Sequence, residues 1–250
     1  MNAIVLAGAP NKGALRQISP AQYEAEIEIA GRPMLDYVVL ALERVQSINR
    51  IVIVGYKSML STNGFDSERF VFVQPGSSVI ESLENGINVL TLGEPVLILT
   101  SDIPLITKEA LEDFLNRCGS QSGDIFYSFV PKTINDQKYP GVQRTYVRLK
   151  EGTFTGGNLV LLSPEIISEK LTTLTQAVAL RKKPLTLCRM LGWRYLWKLL
   201  FGILTIKEIE GRVAEVLGVK AVGIVSSYPE VGIDVDKPSD LKLAREVLAK

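Results

Sequence analysis

The chain has 250 residues, of which 46% are hydrophobic and 22% charged, with 28 Lys and Arg against 27 Asp and Glu for a net charge of +1. That composition predicts a globular core rather than a disordered chain, and it offers none of the basic excess of a nucleic-acid surface. The sequence contains no histidine, which excludes imidazole-activated nucleophiles and imidazole metal ligands, so a catalytic metal must be held by oxygen, a donor set that suits Mg²⁺.

In chain order, Ala3 to Ala7 is a short apolar run expected as a buried parallel strand, and no charged region or cleavage site of a secretory signal precedes it. A polar loop with Gly8, Pro10, Gly13 and Pro20 follows, then a helix over Pro33 to Val45 with proline in its first turn. Strands are expected at Ile51 to Gly55 and Phe70 to Val73. Ser77 is placed to cap a helix reaching about Leu90, because its hydroxyl can accept from the first free amides. Pro95 to Thr100 is a strand ending in Ser101-Asp102-Ile103-Pro104, and Thr107 caps the helix after it. Alternating strands and helices predict βαβ units and a mostly parallel sheet.

Beyond Gly123 the pattern loosens. Strands are expected at Asp124 to Val130, Thr145 to Leu149 and Asn158 to Leu162, then helical material from Pro164 to about Leu217. Ala221 to Val225 and Val231 to Val235 read as late strands and Ser239 to Ala249 as a closing helix. We therefore expect a single α/β domain over 1–250, a Rossmann-like, mostly parallel sheet with a helical insertion at about 164–218. Cys118 and Cys188 fit no CxxC or zinc spacing, so a reducing cytoplasmic home is expected.

The turn Gly8-Ala9-Pro10-Asn11-Lys12-Gly13-Ala14-Leu15 is neither a P-loop, which needs lysine and a hydroxyl where Ala14 and Leu15 stand, nor a GxGxxG fingerprint. It remains a glycine loop with Lys12 and Arg16 available for a triphosphate; alternatively it is a plain loop with solvated cations. Asp102 stands at the carboxyl end of a buried strand, where open α/β sheets bind ligands, and is a metal candidate or a turn cap. In a strand, Asp234 and Asp236 point to one face, and like charges so placed call for a cation. Asp236 is the stronger metal ligand candidate; the alternative makes Asp234 a structural hydrogen-bonding group and Asp236 a helix cap, a task Ser239 can take instead.

The segments IVLAGAP, GRPML at Gly31 to Leu35, SDIPLI at Ser101 to Ile106 and DVDKPSDL at Asp234 to Leu241 together resemble the nucleotidyltransferases related to molybdenum-cofactor guanylyltransferase and to the uridylyltransferase domain of the bacterial UDP-N-acetylglucosamine enzyme. The resemblance runs over nearly the whole chain in the family's order. It implies a sheet of nucleotidyltransferase (glycosyltransferase-A-like) type, Mg²⁺ held by Asp102 and Asp236, and a nucleotide lying over Leu6, Ala7, Gly8 and Ser101. The stretch Gln74-Pro75-Gly76-Ser77 is similar to the family's base-contacting segment, which implies that Gln74, Gly76 and Ser77 bind the base, with an ordinary helix cap as the alternative. Thr155-Gly156-Gly157-Asn158 is similar to the acceptor-side glycine segment, which implicates Gly157 and Asn158. Two departures stand out: Asn11-Lys12-Gly13 replaces the family's GTR stretch, and the family's second lysine falls near Glu24.

The expected activity is transfer of NMP from an NTP to a small phosphorylated acceptor with release of pyrophosphate, in which Lys12, Arg16, Asp102 and Asp236 do the chemistry. A phosphate acceptor is already ionised and needs no general base, in keeping with a chain without histidine. A sugar-nucleotide glycosyltransferase is the first alternative; it would carry Asp-x-Asp at the middle strand, where Ser101-Asp102-Ile103 stands. A non-catalytic nucleotide-binding relative is the second. Finally, Leu185 to Leu204 is apolar but carries Arg189, Arg194 and Lys198, each costing about 2.5–3.5 kcal/mol at a membrane centre. It is expected to be a helix over the acceptor side that forms a homodimer contact or meets a membrane surface rather than crossing it.

Overall fold

The computed structural model describes residues 1–61, 68–91, 93–169 and 192–249. Its centre is an eight-stranded sheet. In chain order its strands are β1 (Asn2–Leu6), β4 (Arg50–Val54), β5 (Phe70–Val73), β6 (Val96–Thr100), β7 (Ile125–Pro131), β8 (Val147–Leu149), β9 (Gly152–Leu162) and β10 (Ala221–Val225). A small separate hairpin, β2 (Glu28–Ile29) with β3 (Arg32–Pro33), precedes the first helix. The order across the sheet is β10-β7-β9-β6-β1-β4-β5, with β8 on β9. All neighbours run parallel except those of β9, which is antiparallel to β6, β7 and β8. The chain is thus a mixed α/β protein of Rossmann-like type with a mainly parallel sheet.

The strand residues explain the layering. Along β1, Ala3 and Val5 belong to one buried cluster and Ile4 to another, as a period of two requires when both faces are covered. The first cluster is closed by α1 (Met34–Glu43) through Leu35, Val38, Val39 and Leu42, and by α3 (Lys108–Gly119) through Leu111 and Phe114. The second is closed by α2 (Val79–Asn88) through Leu83 and Ile87 and by α5 (Pro164–Glu169) through Ile166. Thr107 caps α3 by accepting from the Ala110 amide at 3.2 Å, as expected. The cap of α2 is Ser78, which accepts from the Glu81 amide at 3.1 Å, whereas the Ser77 hydroxyl donates to the Glu81 carboxylate at 2.5 Å. Ser77 therefore sits one residue too early to cap.

After β7 the chain forms a helix not anticipated from sequence, α4 (Lys132–Lys138). The expected strand at Asn158 to Leu162 is the second half of β9, and Gly156 and Gly157 lie inside it. Between β9 and β10 come α5, α6 (Trp193–Leu200) and α7 (Ile206–Leu217); residues 170–191 of the expected insertion lie outside the described residues. Leu185 to Leu204 is not one helix where described, because α6 ends at Leu200 and Gly202 turns the chain with φ +65°. No helix among the described residues is long and apolar enough to cross a membrane.

Val231 to Val235 is not a strand. Pro229–Gly232 is a 3₁₀ turn, and an irregular segment leads from it to the last helix, α8 (Pro238–Leu248). The alternation that imitates a strand arises because Val231 is buried in the sheet cluster while Ile233 and Val235 are buried with Leu105, Leu241 and Ala244. The Val235 amide donates to the Asp102 carbonyl at 2.8 Å instead of joining a ladder. Neither Ser239 nor Asp236 caps α8: Lys237 occupies the cap position without a side-chain bond, and the Asp236 amide donates to Asp240 at 3.3 Å.

Candidate active site

β1 lies between β4 and β6 and is parallel to both, and from it the chain order runs outward in opposite directions. Leu6 and Thr100 end β1 and β6 side by side. Loops leaving such a pair diverge and open a crevice at the carboxyl edge of the sheet. The Ser101 amide still donates to the Leu6 carbonyl at 3.2 Å, and the Ala7 amide to Val54 at 2.9 Å, so the crevice floor is held by the ladder itself. A Cβ on Gly8 would strike the ring of Pro75; glycine is what lets the first turn lie on the segment after β5. Leu6, Ala7, Gly8, Gln74, Gly76, Ser77 and Ser101 thus come from adjoining strand ends. Gln74 is exposed, its carbonyl accepts from Asn85 at 3.2 Å, and the Gly76 amide donates to Ser82 at 3.0 Å. The Ser77 hydroxyl and amide hold the Glu81 carboxyl below its ordinary range.

The departure at Asn11 has a structural use. Its side-chain amide donates to the Ser19 carbonyl at 3.2 Å and to that of Ala21 at 3.0 Å, and its backbone amide to Gln22 at 2.9 Å. The loop is thereby folded back on itself, with Lys12 exposed at its tip beside Gly13 at φ +70°. Arg16 turns into the same loop, donating to the carbonyls of Pro20 at 2.6 Å and Ala21 at 2.7 Å.

Asp102 follows β6, and its carboxylate accepts from the Thr100 hydroxyl. The bond from Val235 to the Asp102 backbone carries the 233–236 segment across to that strand end, so one carboxylate oxygen each of Asp102, Asp234 and Asp236 lies within 4.8 Å of the others. Sequence reasoning placed Asp234 and Asp236 together for the wrong reason, since an irregular segment and not a strand presents them. It also missed Arg144. That side chain, 8% exposed, donates from Nη1 to Asp234 Oδ1 at 2.6 Å and from Nη2 to the Asp234 carbonyl at 2.6 Å, and stands 3.8 Å from Asp240. No pattern marks an arginine 90 residues from its partner. Asp234 is therefore ion-paired with Arg144, which Asp240 also approaches, while its carboxylate still stands among those of Asp102 and Asp236.

The Asp236 carboxyl is pushed up to about 7, first by desolvation, then by the charge of Asp234 and a hydrogen bond with it, then by Asp102 and Glu24. Asp236 lies at the mouth of the cluster, where water screens part of that repulsion. Glu24, standing where a lysine was expected, thus adds to the negative field. Carboxylates gathered so closely are the donor set of a hard divalent cation, which would relieve the repulsion that keeps a proton on Asp236.

On the other flank, Gly157 leaves no room for a side chain, since a Cβ would meet the Ser128 hydroxyl and stand 2.8 Å from Val231. Asn158 donates to the Val231 carbonyl at 3.3 Å, which ties β9 to the segment that carries the aspartates. The 3₁₀ turn is fastened to α4 as well, through the Tyr139 hydroxyl donating to Glu230 at 2.8 Å.

Known proteins share the family and the fold. Residues 18–184 match the model of the MobA-like NTP transferase domain. A hypothetical transferase from Thermus thermophilus is 37% identical, covers 96% of this chain and all of its own, and superposes with a TM-score of 0.82. A 4-diphosphocytidyl-2C-methyl-D-erythritol synthase from Anaerococcus prevotii, 14% identical over 100% of this chain and 98% of its own, has a TM-score of 0.62. The 2-C-methyl-D-erythritol 4-phosphate cytidylyltransferase of Francisella tularensis, 14% identical over 98% of this chain and 99% of its own, has a TM-score of 0.57. No curated protein matches the chain significantly. The switch-point crevice, the aspartates at its edge and a family match over most of the chain make this protein a member of the MobA-like NTP transferase family, and an enzyme of the nucleotidyltransferase class.

Proposed function

We propose that the enzyme transfers NMP from an NTP to a small phosphorylated acceptor and releases pyrophosphate, with Mg²⁺ held by Asp102 and Asp236. The observation that carries this reading is the cluster of Asp102, Asp234 and Asp236 at the β1–β6 switch point, with Arg144 already spent on Asp234. Mg²⁺ held there would supply neutralisation of phosphate charge.

The residues of the chain then divide the work. Leu6, Ala7, Gly8 and Ser101 form the floor under the nucleotide, and Gln74, Gly76 and Ser77 meet its base. Lys12, exposed at the loop tip, reaches the triphosphate, and Arg16 holds the loop that presents it. Gly157 and Asn158 border the acceptor. An acceptor oxygen, ionised already, attacks the α-phosphorus in line; the new P–O bond forms as the bond between the α-phosphorus and the bridging oxygen breaks, and that oxygen leaves with pyrophosphate. No side chain is required to take a proton. We read the chain as one domain, since the eight-stranded sheet takes strands from both ends of the chain, β1 and β10 included, and place it in a reducing cytoplasm.

The test is product analysis with each NTP, Mg²⁺ and a panel of phosphorylated acceptors. Pyrophosphate release is expected, and Asp102→Ala and Asp236→Ala should each abolish it with the fold intact by circular dichroism. Release of NDP instead would point to glycosyl transfer, and retained activity in either variant would remove that aspartate from the site.

A further inference from the structure

Helix α6 has two unlike faces. Tyr195 and Leu199 turn inward against Leu149, Phe154 and Leu204, and Lys198 is paired with Glu208 of α7. At about 100° per residue, Trp193, Trp197, Leu200 and Phe201 fall together on the opposite side. They are 70%, 45%, 70% and 66% exposed, and Ile203 continues the surface beyond the helix. Trp197 meets Trp193 edge-on with centroids 5.7 Å apart and stacks on Phe201 at 5.8 Å. The stripe is a preformed aromatic surface, and a contiguous apolar patch left in water marks a binding surface.

The charges around it are mostly positive. Arg194 flanks the stripe on α6 itself, and Gly202 closes on Arg148, whose Cδ stands 3.0 Å from where a Cβ would be. Lys150 is joined to Leu204 by its amide at 2.9 Å, and Lys207 lies in the first turn of α7. All four cations are exposed. The neighbouring acids are engaged: Glu208 with Lys198, and Glu151 with the Ile206 amide at 3.1 Å.

We infer that α6 and the turn after it dock the enzyme on an anionic lipid bilayer. Trp193, Trp197, Leu200 and Phe201 enter the headgroup boundary, and Arg148, Lys150, Arg194 and Lys207 meet acidic headgroups. A helix of this length, about 12 Å, lies in the plane of the surface. A second copy fits the patch less well, because a two-fold contact sets these cations against their own images. The β8–β9 hairpin beneath α6 projects from the sheet edge that carries the aspartates, so docking holds that edge at the bilayer. None of this depends on the proposed NTP chemistry.

Trp193 and Trp197 are the chain's two tryptophans, so tryptophan emission, excited beyond the tyrosine band, reads this patch alone. The full chain is titrated with phosphatidylcholine vesicles, with or without phosphatidylglycerol. A blue shift and co-sedimentation are expected with the phosphatidylglycerol vesicles, fading as salt is raised. Arg194→Gln and Lys207→Gln should each weaken partitioning about fivefold, and Trp197→Glu about tenfold or more; the two charge variants carry the test should Trp197→Glu not fold. No shift with phosphatidylglycerol, or an equal shift with pure phosphatidylcholine, overturns the inference. So does a dimer that Trp197→Glu dissolves in a protein that does not pellet with vesicles.

Discussion

Replacing Arg144 by Met removes the cation paired with Asp234 while keeping most of the buried stem. Arg144 is 8% exposed, Asp240 3% and Asp234 25%, so the pair lies mostly out of water and is little screened by salt. Breaking a buried pair leaves its partner charge uncompensated at about 3–5 kcal/mol. The partial exposure of Asp234 argues for the lower end, about 3 kcal/mol, which in a chain of this size lowers Tm by about 6–12 °C. The assays are urea denaturation and a thermal scan on the metal-free protein, at low and high salt. Mn²⁺ affinity, read by electron paramagnetic resonance, should change in the same variant, because Asp234 is released toward the cluster. A loss below about 1 kcal/mol together with unchanged Mn²⁺ binding would refute the claim that the ion pair of Arg144 with Asp234 positions the 233–236 segment.

Three further outcomes follow from the same geometry. The Asp236 carboxyl, raised from 3.8 to about 7, holds a proton in the folded state that the unfolded chain has lost, so metal-free stability should fall as pH rises between about 4 and 7 and then level off. Asp236→Asn should flatten that slope in urea titrations at several pH values, and a slope unchanged from wild type would move the repulsion elsewhere. Gln74→Ala should raise KM for the preferred NTP and blur the ranking of bases, since a side-chain amide can read a base edge with both a donor and an acceptor; an unchanged ranking removes it from the base site. Gly157→Ala drives a methyl against Ser128 and Val231 and should cost about 1–3 kcal/mol, with KM for the acceptor rising more than KM for NTP.

What could be read from sequence was local. The runs at Ala3 to Ala7, Pro95 to Thr100 and Ala221 to Val225 announce strands because both their faces are apolar, and Thr107 announces a helix start because one hydroxyl can serve its orphan amides. Asp102 was legible for the same reason: a carboxylate directly after a buried strand stands at the ligand edge of an α/β sheet. The tertiary structure decided the rest. Val231 to Val235 alternates like a strand, yet its residues are buried against α8 and β9 rather than paired, since burial imposes the same pattern on an irregular chain. Asp236 is brought beside Asp102 by the backbone bond from Val235 across the fold, and Arg144 reaches Asp234 from a loop 90 residues earlier. A strand or a cap is stabilised among near neighbours, where the letters record it; an ion pair between distant segments exists only once the core has packed and set its two halves within reach.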